Sequence, residues 1–169
     1  NTCVVMLAII GPAWLSLKYK RQLDDPGDWV RQEIETVIGR SIPVIPVCIL
    51  GARLPKLSDL PDTMQGMLTL QAMQVRDERD FKNDINELIS CVNEYVSAAR
   101  VAELLDRARN AAAESHLKYA IELCELALTL KPDDNAAKDL LADTMAELVL
   151  ARSRRRSGIQ EIDMNRANE

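Results

Sequence analysis

Three stretches of the chain are patterned for a sheet. Cys3 to Ile10 is apolar at every position, is of strand length, and carries several β-branched residues. That pattern predicts a buried parallel strand. Gly11-Pro12 stops it, and Ala13-Trp14-Leu15-Ser16 begins a loop or short helical turn. A polar loop with both charge signs is expected over Lys18 to Asp25. Val44 to Leu50 is a second apolar run, broken only by Pro46, which cannot donate to a ladder. Its N–H position must therefore face a gap, a bulge or the end of the sheet. Thr69 to Val75 alternates apolar and polar positions and predicts a third, half-covered strand. Val4–Ile10 is expected beside Val44–Leu50, with Thr69–Val75 at the far edge.

Helical patterns lie between and after these runs. Asp25 to Gly39 reads as a short helix, with Asp25 as cap, Pro26 at the first position, Asp28 in the first turn and Gly39 at the end. At about 100° per residue, Val30, Ile34, Val37 and Ile38 form one apolar stripe. Glu35 falls opposite the stripe and is expected in solvent. Glu33 lies at the stripe's edge, one turn after Trp29 and on the same side. A carboxylate beside an apolar wall and an indole is a candidate for chemistry, although most helical carboxylates are surface residues. Asp62 to Leu68 reads as a short helix. Asp80 to Ala99 reads as a longer one, with Phe81, Ile85, Leu88, Ile89, Val92 and Val96 on one stripe.

The alternation of strands and helices predicts an α/β fold with a parallel sheet wound on both faces. A strand as apolar as Val4–Ile10 belongs inside a sheet, because a bare apolar edge invites aggregation. The sequence is therefore expected to be a fragment, cut just before a buried strand whose preceding strands are missing.

Composition narrows the function classes. Aromatic residues are 4% of the chain and the net charge is −5, which disfavours nucleic acid as a partner. No apolar run reaches the roughly 18 residues of a membrane span. The four cysteines, Cys3, Cys48, Cys91 and Cys124, sit in apolar runs, form no CxxC pair and read as buried free thiols of a reducing, cytoplasmic protein. With His116 as the one histidine, His-based metal sites and Ser-His-Asp triads are nearly excluded, and no metal is expected.

After Ala99 the composition turns rich in Ala and Leu. Leu104, Ala108, Ala111, Ala120, Ala127 and Pro132 follow the spacing by which small residues pair two helices, with Tyr119 and Cys124 at larger positions. This segment resembles a tetratricopeptide repeat, with Leu141, Ala142 and Met145 opening a next repeat; the bland alternative is a generic helical hairpin. His116 falls at the hairpin turn and is expected to be exposed. Arg152, Arg154, Arg155 and Arg156 form a basic cluster in a polar tail, expected to be frayed, with contact to an acidic partner surface as the alternative. The expected organisation is one domain over 1–99, a helical segment over 100–150 and a disordered tail over 151–169.

Taken together, Val5 to Leu15, Asp28-Trp29-Val30-Arg31-Gln32-Glu33-Ile34, Ile42-Pro43-Val44-Ile45-Pro46-Val47 and Leu60-Pro61-Asp62 resemble the C-terminal half of a TIR domain. The resemblance is strongest to the bacterial group and to the animal NAD-cleaving type. It covers Val4 to Val96 and includes a helix bearing W-x-x-x-E. It implies a partial flavodoxin-like sheet, with NAD+ as substrate rather than cofactor, Glu33 as catalytic glutamate and Trp29 as a substrate-binding wall. The implied activity is hydrolysis of the nicotinamide–ribose bond in a bacterial signalling or defence (immunity) protein, with the fragment inactive alone. The alternative is a non-catalytic module that assembles protein partners, or copies of itself, through TIR and repeat surfaces.

Overall fold

The computed structural model describes residues 3–14, 16, 23–77 and 79–166, with side chains to 154. The expected loop over 18–25 lies largely outside the described residues. The chain divides into two compact units, Asn1–Val96 and Ser97–Glu169. Neither contains a helix, among the described residues, long and apolar enough to cross a membrane.

The first unit is built on a parallel three-stranded sheet. Strands β1 (Met6–Ile10), β2 (Val44–Ile49) and β3 (Met73–Val75) lie in the order β1-β2-β3, as the polarity of the three runs predicts. Helix α1 (Trp29–Gly39) connects β1 to β2. Two short 3₁₀ helices, Leu57–Asp59 and Asp62–Leu68, lie between β2 and β3.

Both sheet faces are covered. Ala8, Ile10, Val44 and Cys48 pack with Ile34 of α1 and with Leu60, Met64 and Met67. On the other face Ile45, Val47 and Val75 pack with Ile85, Leu88, Cys91 and Tyr95 at the start of helix α2 (Phe81–Ala113). The stripe expected on this helix is rotated: Phe81, Ile89 and Val96 are exposed, and Cys91 and Tyr95 take their place. Asp84 fixes that rotation, because its buried carboxylate accepts from the Arg76 backbone N–H (2.8 Å) and from the Arg76 guanidinium. These bonds from Arg76 hold its carboxyl below the usual aspartate range.

Register explains Pro46. The Met6 N–H donates to the Pro43 carbonyl (2.9 Å). In a parallel ladder the odd-numbered residues of β2 then direct their backbone groups to β1 and the even-numbered ones to β3. Pairing with β3 begins only at Val47–Met73. The missing donor of Pro46 thus points past the start of β3, and no ladder bond is lost.

β1 is less buried than its composition predicts. Leu7 and Ile9 are exposed, and β1 is an edge strand of the described sheet. Of the four free thiols, Cys48 and Cys124 are buried as expected, Cys91 is half-buried and Cys3 is exposed.

In the second unit the latter part of α2 packs with α3 (Leu117–Leu130) and α4 (Asn135–Arg166). Leu104, Ala108, Cys124, Ala127 and Ala137 are fully buried there. The composition shift at Ala99 interrupts no helix, because Ser97-Ala98-Ala99-Arg100 contains nothing that breaks one. Helix α4 likewise continues to Arg166, into the stretch expected to be a disordered tail, since its Arg, Gln and Glu residues favour helix and no proline intervenes. The side chains of Arg155 and Arg156 lie outside the described residues. His116 is exposed at the turn, where Ser115 adopts a positive φ of 62°.

Ala108 and Ala120 have no exposed surface. Ala120→Leu should overpack this site and lower stability by about 1–3 kcal/mol. A thermal melt indistinguishable from that of the parent chain would show that Ala120 does not sit where helices approach closely.

Candidate functional site

The sequence points to helix α1, and the structure rotates that helix from its expected setting. The start differs first. Asp28, not Asp25, is the cap: its Oδ1 accepts from the Arg31 N–H at 3.0 Å, and the helix opens at Trp29. Asp25 instead closes the preceding turn, accepting from the Gly27 N–H at 2.8 Å. At the other end Gly39 is the last helical residue. The left-handed position falls on Ser41, whose φ is 56°.

Of the expected apolar stripe, Ile34 is buried and Val37 and Ile38 are half-buried, but Val30 is exposed. Ile38 packs against the 3₁₀ helix at Gly66, where an added Cβ would come within 3.1 Å of its Cγ2. A glycine there lets α1 and the 3₁₀ helix approach closely. The inward face of α1 therefore runs through Arg31, Ile34, Glu35 and Ile38, one position round from the stripe that hydropathy alone selects.

This rotation reverses the expected surroundings of the two glutamates. Glu35 is not free in solvent. Its Oε1 accepts from Arg31 Nε at 2.6 Å and from the Thr63 hydroxyl. These donors, Thr63 first and Arg31 second, lower its pKa from the ordinary glutamate value. Arg31 also donates through Nη1 to the carbonyls of Leu23 and Asp24, each at 3.1 Å, and through Nη2 to Thr63 at 3.4 Å. Leu23 is itself buried. One guanidinium thus joins α1, the segment before it and the second 3₁₀ helix. The i, i+4 spacing of Arg31 and Glu35 is visible in the sequence. Thr63, far along the chain, carries no sequence signal of its part.

Glu33 and Trp29 lie one turn apart on the outer side of α1. Glu33 is exposed rather than set into an apolar wall, and it makes no hydrogen bond or ion pair with any described residue. Trp29 is 79% exposed, so its indole is a projecting surface and not a packed partition. The structure therefore brings the two candidate residues to the same face and leaves both open. Among the described residues no three His, Cys, Asp or Glu side chains converge as they would around a metal ion.

No family model matches this chain, and neither a curated protein nor a solved structure matches it.

The clasp at Glu35 generates a stability prediction with a defined pH dependence. The folded-state pKa of Glu35 is depressed, so its contribution is complete above the unfolded value of about 4.3 and is lost as pH falls through the folded one. Glu35→Gln should lower the melting temperature at neutral pH, and the gap to the parent should close on acidification below about pH 4. Glu33→Gln should leave the melt unchanged at neutral pH. Equal melts for Glu35→Gln and the parent at neutral pH would remove the clasp from the account.

Proposed function

We propose that this chain carries part of a TIR-type NAD+ nucleosidase of a signalling or defence protein. Its sheet would be the later portion of a flavodoxin-like domain, and its helices after Ser97 a tetratricopeptide-like pair. Glu33 is the carboxylate that acts on NAD+, and Trp29 is the surface beside it. In this reading the opposing wall of the pocket comes from other parts of a longer protein.

The observation that carries the reading is the division of labour on α1. Glu35 is committed to Arg31 and Thr63, whereas Glu33 is an accessible carboxylate without a partner among the described residues, next to an accessible indole. Cleavage of the nicotinamide–ribose bond builds positive charge on the ribose ring. A carboxylate that hydrogen-bonds the ribose hydroxyls stabilises that charge. A single carboxylate suffices, because nicotinamide is already cationic in NAD+ and leaves without taking up a proton. An indole alongside supplies a flat apolar surface that displaces water.

A second reading has its own support. An indole as exposed as that of Trp29, next to exposed Val30, also suits an anchor at a protein interface. In that reading the module assembles partners and performs no chemistry.

The test is nicotinamide release from NAD+ by the full-length parent protein at equal folded concentration. Glu33→Gln should reduce the rate on the order of 100-fold or more, since it keeps the shape of the side chain and removes its charge. Arg40→Gln, an exposed change just past the end of the same helix, should leave the rate unaltered. Full activity in Glu33→Gln would refute the site. Absence of nicotinamide release from the unmutated parent in every assembly state would leave the interaction reading. The 169-residue chain alone should release none.

A further inference from the structure

Helices α3 and α4 differ greatly in length, 14 residues against 32. At about 1.5 Å per residue α3 extends roughly 21 Å and α4 roughly 48 Å. The two pack against each other and are joined by the short turn around Pro132-Asp133. α4 therefore runs back along α3 and overshoots its start. An open groove of about 1040 Å³ lies at the overshoot, between the beginning of α3 and the stretch of α4 from Glu147 to Arg154.

The chemistry of this groove is two-sided. Leu117, Tyr119, Leu148 and Leu150 give it apolar surface, and Tyr119 and Leu150 are 46% and 57% exposed. Tyr119 is held in place, because its hydroxyl accepts from Arg107 Nη2 at 2.6 Å. Lys118, Arg152 and Arg154 line the same groove, and none of them pairs with a carboxylate among the described residues. The neighbouring Glu114 lies 3.4 Å from His116 Nδ1, and Glu147 is the one acidic side chain in the lining among the described residues. Three cations that have no carboxylate partner among the described residues, beside exposed apolar side chains, are unusual in a chain whose net charge is −5.

We propose that this groove binds an acidic peptide segment of a partner protein. Its large apolar side chains would lie against Leu117, Tyr119 and Leu148, and its carboxylates would meet Lys118, Arg152 and Arg154. The apolar half of the lining favours such a peptide over a nucleic acid, which would use the cations and leave the apolar surface without a role. The groove lies wholly in the unit from Ser97 onward. It does not depend on the NAD+ reading, and the two can fail separately.

Fluorescence anisotropy with the intact chain tests the proposal. The probes are a labelled peptide of about 12 residues rich in Glu and Leu, and its counterpart with Gln in place of Glu. The acidic peptide should bind at least about tenfold more tightly than the Gln peptide, with an advantage that shrinks as salt is raised. Arg152→Gln with Arg154→Gln should reduce binding about tenfold or more while the circular dichroism spectrum is preserved, and so should Lys118→Gln in combination with either. Arg100→Gln, an exposed cation paired with Glu103, should not change it. Equal binding of the two peptides, or no binding of either, would overturn the proposal. So would tighter binding of a single-stranded RNA of similar length. Self-association in sedimentation that the same substitutions abolish, without peptide binding, would assign the groove to a second copy instead.

Discussion

The guanidinium of Arg31 sets the orientation of helix α1. It donates to the Glu35 carboxylate, to the carbonyls of Leu23 and Asp24 and, at the limit of hydrogen-bond distance, to Thr63. Arginine suits this place because its planar fork offers several donors in fixed directions, and it stays charged at any physiological pH. The bonds pull the polar edge of α1 inward beside Ile34. A helix has only so much inward face, so turning Arg31 and Glu35 toward the 3₁₀ helix turns Trp29, Val30 and Glu33 away from it. Whether Glu33 is accessible to a ligand is thus decided by residues that would never touch that ligand.

The sheet gives α1 a fixed base. Alternation along β2 sends Val44 and Cys48 to the face that α1 covers, and Ile45 and Val47 to the face that α2 covers. A strand buried on both sides needs to be apolar throughout, and this one is. β1 meets that requirement in composition but not in burial: Ile9, beside Val47 but at the edge of the described sheet, is 49% exposed. The position of Pro46 shows how tightly register is specified. A shift of one residue would aim its missing donor at β1, where pairing continues on both sides.

Strand identity, sheet order and the cores of the longer helices were legible in the sequence because apolar runs and their punctuation report burial directly, whereas the 3₁₀ helix Leu57–Asp59 and the continuity of α2 past Ala99 were not. The rotation of α1 was not legible. Hydropathy places Val30 inside and Glu35 outside; the structure exposes Val30 and half-buries Glu35 because two donors compensate the carboxylate. A similar error affects α2, where Asp84 is buried only because Arg76 reaches it. In both cases a charge goes inward on the strength of a partner that periodicity cannot see. The cap at Asp28 was missed for a related reason. Asp25 and Asp28 are equally good caps by composition, and the turn closed by Asp25 on Gly27 decides between them.

The central claim is that Glu35 is engaged and that its engagement orients the helix. A carboxylate-carbon NMR titration of the intact chain measures this directly. The account predicts that Glu35 titrates below the ordinary glutamate range, and that Thr63→Val and Arg31→Gln each move the midpoint back up, since their hydrogen bonds stabilise the charged form. A Glu35 midpoint at the ordinary value in the unmutated chain, insensitive to both substitutions, would mean that Glu35 is solvated and that α1 is turned the other way.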